Sequence, residues 1–150
     1  MDFEEIKQEA KEIFENQKTI YCPFFQTNVN LISDGFNHLQ YKGNRMPRNI
    51  DEQRLKLTLL SKALQVIKSA GTLQEYRRGI EKIGKKGNDG FFKTKDVEYW
   101  AFHAILGKDY LRKIVVILKR IGDGQIIFWG VMPHKKFNNQ KLYEDGIEDF

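Results

Sequence analysis

The sequence predicts an α+β fold, in which N-terminal helices pack on a C-terminal antiparallel sheet of three to four strands. Apolar residues recur at helical spacing in the first half of the chain, whereas the second half carries runs of β-branched and aromatic residues. Asp123-Gly124 separates the last two runs and is a strong β-hairpin signal. A chain of 150 residues with 41% hydrophobic residues can bury one core, so we expect a single domain over 1–150.

Four helices are predicted ahead of the sheet. The first spans 3–16 and can be capped by Asp2. A short helix over 36–42 follows, and a longer one can begin at Asp51. A fourth is predicted over 73–83, through Tyr76 and Ile80. The apolar stripe of the third helix consists of Leu57, Leu60, Ala63, Leu64 and Ile67.

The remaining segments are predicted as connections and strands. Residues 19–26 indicate a packed irregular connection, and 29–32 a short strand. The Lys- and Gly-rich segment 84–95 indicates a mobile loop. The polar tail 134–150 is expected to fray or to add a terminal helix. The strands of the main sheet are expected over 97–105, 111–121 and 125–132.

Charge and cysteine content narrow the class of protein. Lys and Arg number 25 against 20 acidic residues, a net charge of +5, which fits a polyanionic partner such as RNA, although many basic proteins bind no nucleic acid. Cys22 is the single cysteine, so no internal disulfide can form, and a reducing compartment such as the cytoplasm fits. Because no apolar run approaches the ~20 residues of a membrane span, we expect no membrane partner.

A two-residue turn at Asp123-Gly124 would determine which side chains share a face of the hairpin. One face would then be apolar and pack on the helices, while the other would mix a cation, a ring and a glycine. That second face could take phosphates and stack a base, or be an ordinary solvent face. The expected pairs are Leu118 with Trp129, Val116 with Val131, Lys119 with Phe128, and Ile117 with Gly130, with Lys113 near His134.

The segment around His38 carries the groups that metal-free RNA cleavage requires. If the segment is helical, His38 and Lys42 lie one turn apart, and Arg45 follows on that side. A histidine can transfer protons near neutral pH, and Lys and Arg stabilise a charged phosphorane. Arg48 and Arg54 lie close behind. The alternative is a structural or merely solvated histidine in a basic surface.

The other two histidines are further candidates for proton transfer, and the sequence lacks common metal and nucleotide motifs. His103 lies in a predicted strand on the face of Tyr99, and His134 follows Pro133 beside a basic patch. Either could transfer a proton or be a structural histidine. The sequence contains no cysteine pair for zinc, no HxxxH helix and no Walker-type loop. We therefore expect no metal and no cofactor.

Several of these stretches together resemble the phage and toxin branch of the barnase–EndoU–colicin–RelE-like (BECR) nucleases. The matching segments cover roughly residues 29–133, with a gap at the Lys-rich loop. They are 29–39 (VNLISDGFNHL), the basic segment 42–48, the helix carrying Arg54 and Leu55, 113–124 (KIVVILKRIGDG) and 127–131 (IFWGV).

The resemblance implies RNA cleavage through a 2′,3′-cyclic phosphate, often on tRNA and often by a toxin delivered from a phage or a secretion system. It implies that His38 is a general acid or base, that Lys42 and Arg45 bind phosphate, and that Lys119 or Arg120 reaches the site. Relatives often carry a hydroxyl residue where this chain has Gly130. The second proton-transfer group therefore stays open between His103, His134 and Tyr99.

Three hypotheses follow for function. The first is a metal-independent endoribonuclease with catalytic candidates His38, Lys42, Arg45, Lys119 and His103. The second is a non-catalytic nucleic-acid-binding module, and the third is an antitoxin or immunity protein. A toxin would also need a cognate antitoxin or immunity partner. Residues expected to contact nucleic acid are Arg48, Arg54, Lys113, Arg120, Phe128 and His134.

Overall fold

A computed structural model describes residues 2–43, 45–107 and 112–133. The described part of the chain forms three helices and one six-stranded sheet. No helix within it is both long and apolar enough to cross a membrane. In chain order the elements are α1 (Phe3–Gln17), β1 (Thr19–Cys22), β2 (Thr27–Asn30), α2 (Ser33–Gln40), α3 (Ile50–Ser69), β3 (Glu75–Ile83), β4 (Lys93–Leu106), β5 (Arg112–Ile121) and β6 (Ile127–Pro133).

The sheet differs from the predicted one in size and in direction. Its strand order is β1-β2-β6-β5-β4-β3. Neighbouring strands are antiparallel except β2 and β6, which run parallel and are joined through Asn30 and Ile127. The predicted antiparallel sheet of three to four strands is therefore wrong: the fold is α+β with a mixed six-stranded sheet.

The additional strands come from segments whose patterns are ambiguous. Tyr76 and Ile80 suggested a helix over 73–83, but residues four apart share a face in a strand as well as in a helix. Both side chains are exposed in β3, so their spacing does not reflect a buried helical face. Residues 19–26, predicted to be irregular, form β1 and its turn into β2. Four residues are too few for alternation to be recognised with certainty.

The first three predicted helices form, with shifted boundaries, whereas the fourth, over 73–83, is replaced by β3. The Asp2 cap of α1 is confirmed, because Glu5 N–H donates to its carboxylate at 2.9 Å and the Glu5 carboxylate accepts from Asp2 N–H. α3 begins earlier than predicted, capped by Asn49 instead of Asp51. α2 begins at Ser33 and ends at Gln40, so the expected continuation to residue 42 is wrong.

The central strands are buried on both faces. The helices cover one face, here called the helix face, where Trp100, Phe102 and Leu118 join the main core. Because side chains alternate along a strand, the residues between them point to the opposite face, here called the second face. The second apolar cluster on that face consists of Val97, Tyr99, Ala101, Val115, Ile117 and Met132.

The β5–β6 hairpin contains a one-residue irregularity that changes which side chains share a face. Ile117 pairs with Gly130, as predicted, but Leu118 pairs with Phe128 instead of Trp129, so the register shifts between Ile117 and Leu118. Gly124 N–H donates to the carbonyl of Ile121 at 2.9 Å, and β6 begins at Ile127. The connection is therefore longer than two residues, and the predicted pairings of Trp129 and of Lys119 with Phe128 are wrong.

Candidate functional site

Helix α2 lies directly against strand β6 because a glycine faces the strand. A Cβ added at Gly35 would lie less than 3.0 Å from the carbonyl oxygen of Phe128 and 3.3 Å from its carbonyl carbon. Any larger residue would push the two backbones apart. This close approach brings His38, one turn further along α2, to the strand.

His38 stacks on Trp129 of β6. The ring centroids lie 4.0 Å apart and the ring planes differ by 16°. Trp129 packs against the second apolar cluster, so the register shift places the indole on the second face. Gly130 leaves space beside the imidazole, since a Cβ there would lie 3.4 Å from Cδ2 of His38. His38 retains 9% of its surface exposed.

Arg48 contacts both the backbone and the imidazole of His38. Its Nε donates to the carbonyl oxygen of His38 at 3.0 Å, and one terminal nitrogen lies 3.4 Å from Nε2 of the imidazole. The other terminal nitrogen pairs with Glu52 at 3.0 Å. Because a guanidinium has no acceptor, the contact at Nε2 favours a neutral imidazole with its lone pair on that nitrogen. Arg48 is only 4% exposed, so it positions His38 instead of presenting a charge to RNA.

Lys119 brings a cation to the same indole. Its Nζ lies 3.8 Å from the centre of a Trp129 ring and 5.4 Å from that of Tyr99, which are cation–π distances. Burial lowers the pKa of Lys119, while the charges of Glu81 and Asp34 oppose this effect. His38 and Lys119, which lie 81 positions apart in the sequence, therefore meet through one aromatic side chain.

Tyr99, whose ring faces Lys119, carries a hydroxyl that bonds to Glu81. The hydroxyl donates to Oε1 of Glu81 at 3.1 Å. Burial raises the pKa of Tyr99 well above its ordinary value, and the hydrogen bond to Glu81 raises it further. Tyr99 therefore keeps its proton at neutral pH.

Lys42 and Arg45 lie in an exposed loop after α2. The helix ends before Lys42, so the shared helical face expected for Lys42 and His38 does not form. The Lys42 amide instead donates to the carbonyl of Met46 at 2.8 Å, and Arg45 has a positive φ of 64°. Both cations are exposed and close in sequence to His38.

His103 belongs to a separate pair. Its Nε2 lies 3.0 Å from Oε2 of Glu75, and both side chains are buried. Oε1 of Glu75 has no hydrogen-bond partner among the residues that the structure describes. His103 lies on the second face, as predicted, but four residues along β4 from Tyr99. The Glu75 carboxylate therefore engages it outside the His38–Trp129–Lys119 cluster.

The other predicted nucleic-acid contacts are dispersed. Arg120 pairs with Glu98, and its guanidinium lies 5.6 Å from the Trp100 ring on the helix face. Phe128 is fully buried on that face, 5.9 Å from Phe14. Arg54 is exposed on α3, Lys113 is half-buried opposite Ile105, and His134 lies outside the described residues.

Trp129 of the cluster, and Glu81, which bonds to the neighbouring Tyr99, were not among the predicted site residues. Trp129 was expected on the helix face, and only the register shift puts it beside Lys119. Glu81 was placed in a predicted helix, whereas in β3 it reaches Tyr99. Among the described residues, no group of three or more His, Cys, Asp or Glu side chains could hold a metal ion.

Comparison with protein-family models, with curated proteins and with solved structures found no match to this chain. The assignment of a function therefore depends on the chemistry of the cluster.

Proposed function

We propose that the protein is a metal-independent endoribonuclease that cleaves RNA through a 2′,3′-cyclic phosphate. The observation that supports this most directly is the meeting of His38 and Lys119 at Trp129. A group that can transfer a proton and a cation that can stabilise a phosphorane are two of the three parts this reaction needs.

In the proposed reaction His38 takes the proton of the 2′-hydroxyl. The 2′-oxygen then forms a bond to phosphorus, and the bond from phosphorus to the 5′-oxygen breaks. Lys119 stabilises the negative charge of the phosphorane between these events. A general base needs a free lone pair, so the imidazole would take the proton at Nε2 once substrate displaces the 3.4 Å contact of Arg48 with that nitrogen.

The leaving 5′-oxygen must receive a proton, and we assign this step to Tyr99. Of the open candidates it is the one beside Lys119, and its raised pKa means that it holds a proton to give. Glu81 would orient the hydroxyl. His103 is paired with Glu75 instead. After the step the His38 imidazolium gives its proton to water and the Tyr99 phenolate regains a proton from water, which restores both groups.

The resemblance to BECR nucleases suggests tRNA as the first substrate to test. It also suggests a toxin acting in the cytoplasm against which a cognate antitoxin or immunity protein protects. The net charge of +5 is consistent with a polyanionic substrate. Substrate would reach the exposed 9% of His38, so the proposed site is narrow.

The test is incubation of the purified protein with total tRNA in excess EDTA. His38→Ala and Lys119→Met are compared with Lys62→Met, which removes the same charge from an exposed position on α3. We expect the wild type and Lys62→Met to produce discrete fragments that end in cyclic phosphate. His38→Ala and Lys119→Met should lose at least about 100-fold in rate, the lower range for a proton-transfer or charge-stabilising group.

Intact RNA with the folded wild type would refute the ribonuclease. Cleavage by His38→Ala at the wild-type rate would refute the assigned site. If RNA stays intact, a gel-shift series over salt concentration tests the non-catalytic alternative. A binding module would show affinity that falls steeply with salt and does not depend on His38.

A further inference from the structure

The loop that follows α2, residues 41–48 and here called the basic loop, is tied to helix α2 at both ends. At its start, the Tyr41 amide donates to the carbonyl of Asn37 at 2.8 Å. At its end, Arg48 donates from its backbone to Gln40 and from its side chain to the carbonyl of His38. Tyr41 and Pro47 form a β-bridge across the loop. The two ends of the basic loop are therefore fixed relative to helix α2.

Tyr41 presents an aromatic ring from this fixed backbone. The residue is 43% exposed although its backbone is held by the helix end and by the bridge to Pro47. Consecutive Cα atoms lie 3.8 Å apart, so the Cα of Tyr41 is within about 11 Å of that of His38. An exposed ring with little backbone freedom can stack on a planar group at low entropic cost.

The charge of the basic loop indicates what that planar group is. The sequence from 41 to 48 contains three cations and no acidic residue. Lys42 directly follows Tyr41 and is exposed, as is Arg45, whereas Arg48 is turned inward. An aromatic ring beside exposed cations matches the alternation of bases and phosphates in a single strand. An acidic peptide would satisfy the cations but offers no regular series of flat rings.

We propose that Tyr41 is a nucleobase-stacking subsite, on which a base of single-stranded RNA next to the scissile phosphate stacks while Lys42 and Arg45 hold its phosphates. For the identity of its ligand this proposal rests on the ribonuclease activity proposed above. It adds a binding determinant in the loop that follows the helix of His38. The subsite favours unpaired RNA, because a base within a duplex has no free face for Tyr41.

The test uses a fluorescently labelled single-stranded oligonucleotide with 2′-O-methyl groups, which lacks the attacking hydroxyl and cannot be cleaved. Fluorescence anisotropy measures its affinity for the wild type, Tyr41→Ala and Tyr41→Phe. Tyr21→Ala is the matched control, because Tyr21 is 54% exposed in β1. We expect Tyr41→Ala to bind at least about fivefold more weakly, and Tyr41→Phe and Tyr21→Ala to bind like the wild type. Thermal melting checks that each variant is folded.

A salt series separates stacking from charge. Lys42→Met and Arg45→Met should each reduce the slope of log affinity against log salt by about 0.7. Tyr41→Ala should weaken binding without changing this slope. Unchanged affinity of Tyr41→Ala, equal weakening by Tyr21→Ala, or no binding by the wild type overturns the subsite.

The two proposals fail separately in this design. If the wild type cleaves tRNA but Tyr41→Ala binds the uncleavable strand normally, the subsite is wrong and the ribonuclease stands. If the wild type cleaves nothing but Tyr41→Ala binds weakly, the subsite stands as a binding feature and the ribonuclease is wrong.

Discussion

Replacing Gly35 by alanine tests whether the contact of α2 with β6 positions His38. The added Cβ would lie 3.2 Å from Cδ1 of the Phe128 ring and 3.3 Å from its carbonyl carbon, where carbon atoms prefer 3.5–4.0 Å. The carbonyl oxygen is closer still. Since the helix cannot keep its place, we expect it to move away from the strand by about 0.5–1 Å, the distance that restores ordinary contacts.

Two opposing terms determine the expected change in stability. Overpacking of this kind costs about 1–3 kcal/mol, and alanine regains up to about 1 kcal/mol over glycine within a helix. Because the nearest atom is a backbone oxygen that cannot rotate away, the overpacking cost should lie in the upper part of its range, about 2–3 kcal/mol, which leaves a net loss of about 1–2 kcal/mol. For a domain of this size, this corresponds to a fall in the melting temperature of about 2–8 °C.

The effect on RNA cleavage should exceed the effect on stability. His38 lies three residues after Gly35 on the same helix, so a displacement of α2 also displaces the imidazole from Trp129. A misplacement near 1 Å can reduce a rate by about 100-fold. We therefore expect a folded variant with strongly reduced cleavage of tRNA.

Thermal melting and the EDTA cleavage assay are made on Gly35→Ala beside Gly71→Ala. A Cβ at Gly71 meets nothing within 4 Å, so that variant should be as stable and as active as the wild type. If Gly35→Ala melts at or above the wild-type temperature, the close approach of α2 and β6 is wrong. A destabilised but fully active variant would instead refute the positioning of His38 by this contact.

Two further predictions concern the buried cations. Lys119→Met should be about 1 kcal/mol more stable than the wild type at pH 7, since burial of the charge is removed. Burial lowers the pKa of Lys119, so at pH values between the folded and the unfolded pKa the unfolded chain still holds the ammonium proton that the folded protein has released. Wild-type stability should therefore rise as the pH approaches the ordinary value of 10.5, and the variant's advantage should shrink. Urea unfolding at pH 7 and pH 10 measures this, and an advantage that grows with pH would contradict it. Arg48→Lys should lose about 1–3 kcal/mol in urea unfolding, because a single ammonium cannot serve the His38 carbonyl and Glu52 together; an unchanged midpoint would show that these contacts contribute little.

The elements that could be predicted from sequence are those with a long, unambiguous period. Helix α1 carries an apolar stripe over four turns and a capping box, and both signals agree on its start. Strand β3 shows the opposite case, because Tyr76 and Ile80 are compatible with either period and neither is buried. Pairing with β4 over nine positions determines that segment, and such long-range pairing leaves no local signal.

The candidate site was partly predictable for the same reason. His38 could be selected from its own segment, because a histidine next to several cations has recognisable chemistry. Arg48 could not be assigned correctly, since nothing in the sequence distinguishes an arginine that points inward to a carbonyl from one that faces solvent. The guanidinium of Arg48 is buried because the loop after α2 brings residue 48 back beside His38.

The partner of Lys119 illustrates how one residue of register decides the chemistry of a sheet. Side chains alternate, so a slip of one position exchanges the two faces. On the side of the irregularity away from the turn the predicted pairs are correct, as for Ile117 with Gly130. On the turn side Phe128 enters the core, and Trp129 lies beside Lys119 where Phe128 was predicted. An indole offers the larger stacking surface and the stronger cation–π partner. The irregularity therefore supplies the aromatic side chain through which the lysine of β5 and the histidine of α2 come together, and it lies beside the glycine that gives His38 room.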